Sequence, residues 1–231
     1  MFLRVCNSGS SANGYAIGDD KEVLLLEAGC SFLDMKKMLD FRVDNIVGMC
    51  VSHEHSDHFR HVKEYEKAGI HVFKPFDYID GIRISGAYSD NFKVYSFELP
   101  HGETKSYGFY ITHPELGKLL FLTDCEYSPV SFKDMKVNHI LCECNYDTKY
   151  VDMDAPNFRH KVEGHMNLDT CREFVRHNAS PELRSVVLIH GSTATLNPSE
   201  AVQAIKDVVD PDVAVEYAVK GLEMELKKNI L

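Results

Sequence analysis

Apolar positions along this chain fall in short unbroken runs rather than in helical stripes. Val23-Leu24-Leu25-Leu26, Leu119-Leu120-Phe121-Leu122 and Val186-Val187-Leu188-Ile189 are four residues each, the length of a strand covered on both faces. Read end to end, the pattern predicts strands over 1–6, 14–17, 22–27, 47–52, 71–74, 82–85, 91–99, 108–113, 118–123, 139–143, 185–189 and 214–218. Pro114-Glu115-Leu116-Gly117 supplies the turn of a hairpin between 108–113 and 118–123. Helical character is confined to 31–39, 59–68, 168–176 and 199–209. Ser31 and Asn167 stand as N-caps and Gly69 as a C-cap. Strands crowd the first half, then strands and helices interleave. That order predicts an α/β protein of stacked sheets with helices outside.

Composition narrows the class. The 231 residues carry no Pro/Gly/Ser-rich linker, which predicts one domain over 1–231, long enough to bury about 70% of its unfolded surface. No apolar run approaches a membrane span, and the first residues lack a basic, then apolar, secretory pattern. The seven cysteines are odd in number and form no C-x-x-C pair, so they read as small buried hydrophobes in a cytoplasmic protein. Cys125 faces away from its neighbour Asp124 on an extended chain and belongs to the core. The net charge of −10 counts against a broad phosphate-binding face.

The chemistry is concentrated in His53-Glu54-His55-Ser56-Asp57-His58, directly after an apolar strand. Two imidazoles at i and i+2 point the same way, and the Asp-His pair turns toward a second point. One short loop is thus able to feed two adjacent cations, with ligands suited to zinc or manganese. Two such ions would place positive charge on an acidic body where a phosphate must sit. The bland alternative is a solvated polar loop. Against it, His101, Asp124 and His190 each follow an apolar strand, although an Asp or His there is also common in ordinary turns.

Further motifs recur along nearly the whole length: Ser8-Gly9-Ser10-Ser11-Ala12-Asn13, Leu26-Glu27-Ala28-Gly29, Pro100-His101, Leu122-Thr123-Asp124, Glu143-Cys144-Asn145, Gly164-His165-Met166-Asn167 and His190-Gly191-Ser192. With the His53–His58 segment, they resemble the metallo-β-lactamase fold superfamily, in particular its compact YycJ/WalJ-like branch related to RNase Z. The resemblance implies an αβ/βα four-layer sandwich with two divalent metal ions at one edge. Zinc is expected, with manganese or iron as alternatives. It implies that His53, His55 and His101 hold one ion and Asp57, His58 and His190 the other. Asp124 would bridge the two together with a hydroxide that attacks phosphorus. Asp57 counts among the catalytic residues as well as the ligands. His165, oriented by Glu143, is expected to protonate the leaving oxygen. His165 also precedes a helix N-terminus, a place that suits a phosphate.

The implied activity is a metal-dependent phosphodiesterase or nuclease with DNA, RNA or another phosphodiester as its partner, and with no membrane or protein partner. Other hydrolases of the fold, acting on a thioester, a lactam or a cyclic phosphodiester, stay open, as does a non-catalytic metal-binding module. Two positions depart from the family pattern: Glu27 where Asp is usual, and Asn167 where Ser or Thr is usual. The 40 residues between Asp124 and His165 leave no room for the arm of RNase Z or a large inserted domain. Substrate grip would fall to the loop 146–163, with Lys149, Arg159, His160 and Lys161, which reads equally as a solvated loop. The remaining histidines take the bland reading: His61, one turn beyond His58 on the expected helix, has room behind the ligands, and His71, His113, His139, His160 and His177 read as surface or packing residues.

Overall fold

The computed structural model describes residues 1–77, 85–87, 89–152, 154 and 163–228. Two sheets face each other. The first runs β13-β1-β2-β3-β4-β5, from β1 (Phe2–Asn7), β2 (Gly14–Gly18), β3 (Val23–Leu26), β4 (Ile46–Cys50), β5 (Val72–Phe73) and β13 (Glu223–Glu225). The second runs β12-β11-β10-β9-β8-β7-β6. Its strands are β6 (Ser85–Ala87), β7 (Lys93–His101), β8 (Thr104–His113), β9 (Gly117–Leu122), β10 (His139–Glu143), β11 (Ser185–Ile189) and β12 (Ala214–Tyr217).

The uninterrupted apolar runs are explained by burial on both sides. Leu141, Val187, Ile189 and Phe121 meet Tyr15, Ile17, Leu24 and Leu26 between the sheets. Their neighbours Ile140, Cys142, Val186 and Leu188 point outward, onto α4 (Leu168–Asn178) and α5 (Pro198–Lys206). On the first sheet, Ala16, Leu25 and Met49 pack outward against α1 (Phe32–Met38) and α3 (Val62–Lys67). Helix, sheet, sheet, helix is the expected four-layer order. Tyr15 and Phe121 lock the two sheets edge-to-face, with ring centroids 5.5 Å apart. Among the described residues no helix is long and apolar enough to cross a membrane.

The predicted caps hold: Ser31 accepts from Asp34 N at 3.1 Å and Asn167 from Thr170 N at 2.9 Å. The expected helix 59–68 instead divides into α2 (Ser56–Phe59) and α3. The reason is tertiary. Asp57 O, which would accept the helical bond from His61 N, is taken by Asn13 N at 2.8 Å. His61 N turns to Ala28 O at 2.9 Å, and Ala28 N to His58 O at 2.7 Å. Short, mostly charged β13 was not foreseen; it pairs with β1, and Arg4 bridges to Glu223 at 3.0 Å. Of the expected strand 82–85, residues 82–84 lie outside the described ones.

Strands β9 to β12 are parallel, as are β3 to β5. β7 runs the same way as β9, since each is antiparallel to β8. The ends of β3, β4, β7, β9, β10 and β11 therefore open on one rim, the usual place for a site in such sheets.

His139, expected as a packing residue, is fully buried at the start of β10. It bonds Ser185 Oγ at 2.8 Å through Nδ1 and Leu116 O at 3.2 Å through Nε2. Burial holds its pKa down at about 4. Between that value and the ordinary one the unfolded chain takes up a proton that the folded chain refuses, so stability falls as pH drops through this window. Relative to His139→Asn, urea titrations should show wild type losing about 2 kcal/mol between pH 7 and pH 5. Parallel pH curves would contradict this.

Candidate active site

Local backbone geometry aims the side chains. Glu27, Asp124 and His190 follow β3, β9 and β11 and adopt left-handed φ values of 66°, 44° and 53°. Such conformations cost about 1–2 kcal/mol each for a residue with a Cβ and cluster at functional sites. Each one turns the chain sharply at the rim. His101 and Glu143 are the last residues of β7 and β10. Asp57 and His58 occupy the first turn of α2, whose N-cap is His55.

The seven residues implied as ligands converge. His53, His55, His101 and Asp124 bring one donor atom each within 4.8 Å of one another, and so do Asp57, His58, Asp124 and His190. Asp124 faces both groups with different oxygens. Its Oδ2 lies 3.6 Å from His53 Nε2 and 3.7 Å from His101 Nε2, and its Oδ1 lies 3.1 Å from His58 Nε2. Asp57 Oδ2 stands 3.3 Å from His58 Nε2 and 3.2 Å from His190 Nε2. These spacings match the edge, about 3.3 Å, of a tetrahedron with zinc–ligand bonds near 2.0–2.1 Å. His53 Nε2 is buried with no hydrogen-bond partner, an exception that calls for an occupant. The donor set and the orphaned nitrogen both fit divalent cations.

Hydrogen bonds behind the imidazoles settle which nitrogen faces the clusters. His53 Nδ1 bonds Ser52 Oγ at 2.8 Å, and His101 Nδ1 donates to Gly164 O at 2.7 Å. His58 Nδ1 donates to Glu27 Oε2 at 3.1 Å, leaving Nε2 toward the cluster. Glu27 is fully buried and also accepts from Ser52 N at 3.2 Å. The glutamate side chain thus reaches both His58 and Ser52, just past the end of β4. His55 lies with Nδ1 3.1 Å from His101 Nε2 and Nε2 3.3 Å from Thr104 Oγ1.

Charge is divided unevenly. Burial and the neighbouring His58 push the His53 imidazole well below its ordinary pKa, and burial with His101 lowers that of His55. In the other group burial pulls His58 and His190 down, but carboxylates outweigh it. Asp124, Asp57 and Glu27 raise His58 well above the usual range. Asp124, Asp57 and Glu143 raise His190 to about 10. Burial works to raise Asp124, and the imidazoles of His190 and His58 hold it well below the carboxylate range instead.

Glu143, Asp124, His165 and His190 form a third group of metal-ligating types. Here the bonds argue against a cation. Glu143 Oε1 accepts from His165 Nδ1 at 2.7 Å and His190 Nδ1 at 3.0 Å. Its Oε2 accepts from Cys125 N at 2.8 Å and Met166 N at 3.3 Å. Four donors occupy the lone pairs of one carboxylate, so Glu143 orients two imidazoles. Burial pulls the His165 pKa down, and the Glu143 carboxylate more than offsets it.

Several supporting residues were not singled out by sequence reasoning: Ser52, Thr104, Asn13 within its motif, and Asn145, whose Nδ2 donates to His190 O at 2.8 Å. Polar residues next to strand ends were the available signal, and it is too common to act on. Conversely, His61 does not join the clusters; its Nδ1 bonds Glu64 at 2.8 Å. Lys149 is engaged by Glu200, and Arg159, His160 and Lys161 lie outside the described residues. His113 pairs with Glu22 at 2.9 Å and His177 with Ser131 at 2.8 Å.

Comparison with known proteins agrees with this architecture. The metallo-β-lactamase fold protein YhfI of Bacillus subtilis superposes with a TM-score of 0.68 at 15% identity, over 96% of this chain and 98% of that one. The short form of human tRNase Z superposes with a TM-score of 0.63 at 15% identity, over 98% and 99%. The chain has the metallo-β-lactamase fold. The resemblance to the RNase Z-related, YycJ-like branch extends to sequence: an exodeoxyribonuclease YycJ of Bacillus anthracis is 25% identical over 179 residues, 66% of each chain. No family model matches.

Gly29 lies where the first sheet meets the His53–His58 segment. A Cβ there would overlap the Asp57 carbonyl oxygen and stand 2.6 Å from Asn13 N. Gly29→Ala should destabilise the fold by about 1–3 kcal/mol in urea titration and reduce bound metal. Wild-type stability and metal content in that variant would show that the ligand segment yields without cost.

Proposed function

We infer that this chain is a two-cation hydrolase acting on phosphodiesters, with DNA or RNA as substrate. The observation that carries the reading is the Glu143–His165 pair, at 2.7 Å, set against Asp124 and His190, which belong to the clustered donors. His53, His55 and His101 would hold one cation and Asp57, His58 and His190 the other, with Asp124 shared. Zinc suits this set, and manganese or iron are compatible with it. Such a pair supplies Lewis acidity for phosphoryl oxygens and makes water a stronger nucleophile at neutral pH.

The chain's own residues do the rest. Glu143 fixes His165 through Nδ1, so Nε2 is free to meet the leaving oxygen. The Glu143 carboxylate more than offsets burial and raises the His165 pKa above its ordinary value, which favours the protonated state a general acid needs. A thiolate leaves without a proton and an alkoxide does so far less readily, which favours phosphodiester over thioester chemistry. The activity named for the YycJ relative, an exodeoxyribonuclease, points the same way. Seven free, buried thiols suit the cytoplasm, and the 231 residues would work as one domain.

Bis-p-nitrophenyl phosphate, a thioester and nitrocefin, offered to zinc- or manganese-loaded protein, test this. Turnover of the phosphodiester with two bound equivalents is expected. Turnover of either other substrate alone overturns the choice, and fewer than two equivalents without hydrolysis favours a non-catalytic module. His165→Ala should retain its metal and lose about 10²–10⁴-fold in phosphodiester turnover. Loss of metal from that variant would contradict the proton-donor role.

A further inference from the structure

The Ser8–Asn13 motif has no part in the reaction described above, yet its side chains reach across the molecule. Asn13 is fully buried. Its Oδ1 accepts from Gly9 N at 2.9 Å and from Tyr15 OH at 3.2 Å. Two donors on the oxygen fix the amide's orientation, so its NH2 must face the other way. There Nδ2 stands 2.9 Å from His58 Nε2 and 3.2 Å from Asp57 Oδ2. The backbone N–H of Asn13 donates to Asp57 O at 2.8 Å. At the other end of the motif, Ser8 Oγ accepts from His190 N at 2.9 Å and bonds Tyr15 OH at 2.8 Å.

The loop therefore touches Asp57, His58 and His190. Among the described residues, no hydrogen bond joins it to His53, His55 or His101, which are braced by Ser52, Thr104 and Gly164. We propose that Asn13, with Ser8, is a positioning residue for the second cation alone, setting whether the site holds one ion or two. This rests on the two-cation reading above. The physical reason is an asymmetry between the ions. The second must enter against the charge of the first, so its affinity depends more on donors already held in place. Asn13 Nδ2 also lies 3.1 Å from Gly9 O and 3.5 Å from Asp57 O; of its two neighbours within the donor group, Asp57 Oδ2 is the one that can be shared with a cation. A carboxylate oxygen has a lone pair to spare, and an imidazole nitrogen has one only.

The test is zinc titration by calorimetry, with metal analysis after dialysis at fixed free zinc, on wild type, Asn13→Ala and Ser8→Ala. Wild type is expected to hold two equivalents. In Asn13→Ala the weaker step should weaken about 10–100-fold, the usual cost of losing a residue that orients a ligand, while the tighter step stays within about threefold. Dialysed protein should then retain one equivalent. Cobalt-substituted protein supplies a second readout: magnetic coupling between paired ions should vanish in Asn13→Ala and the single-ion visible bands should remain. Ser8→Ala removes one hydroxyl on the same network and should shift the weaker step in the same direction, which keeps the test informative if Asn13→Ala does not fold. Two unchanged steps in either folded variant, or parallel loss of both ions, overturns the proposal. One equivalent or none in wild type instead sinks the two-cation reading itself, so the two failures are distinct.

Discussion

The Asp124 carboxylate is the point on which the site turns. One oxygen faces His53 and His101 and the other faces His58, so a single side chain holds two groups of donors in one frame. Bringing so many titratable groups together away from water is costly unless each is paired and hydrogen-bonded. The molecule meets that condition with an ordered set of partners: Glu27 behind His58, Glu143 behind His165 and His190, Ser52 behind His53, and Gly164 behind His101. Divalent cations are the natural complement, because they replace protons on the raised imidazoles and satisfy the orphaned His53 nitrogen.

The fold exists, in this view, to deliver strand ends. Parallel strands align their carboxyl termini on one rim, and left-handed residues at Glu27, Asp124 and His190 turn the chain there. The two apolar faces of each sheet supply the stabilisation that offsets these local strains. Tyr15 illustrates the coupling. Its ring locks the sheets against Phe121, while its hydroxyl, at the same rim, bonds Ser8 and Asn13.

Glu143 shows how one buried carboxylate can serve two ends. It bonds a residue of the donor clusters, His190, and the proposed proton donor, His165. The orientation of His165 and the geometry of the clusters are therefore mechanically joined. The formal net charge of −10 includes Asp57, Asp124, Glu27 and Glu143, all partnered by imidazoles.

The strand runs, the capping residues and the ligand-type side chains at strand ends were legible because each depends on near neighbours. Burial on both faces shows in the unbroken run Ile140-Leu141-Cys142, a cap in Ser31 or Asn167, and a cluster of donors in His53–His58. The resemblance extended that to His101, Asp124 and His190. The tertiary structure alone decided the rest. It broke the expected helix at 59–68, because Asn13 and Ala28 capture backbone groups that local pairing would have used. It exempted His61 from the site, tied Lys149 to Glu200, and gave Asn13 its place beside His58. These outcomes depend on hydrogen bonds between residues tens of positions apart, whose partners are chosen by how the sheets stack. Short-range pattern carries no record of that choice.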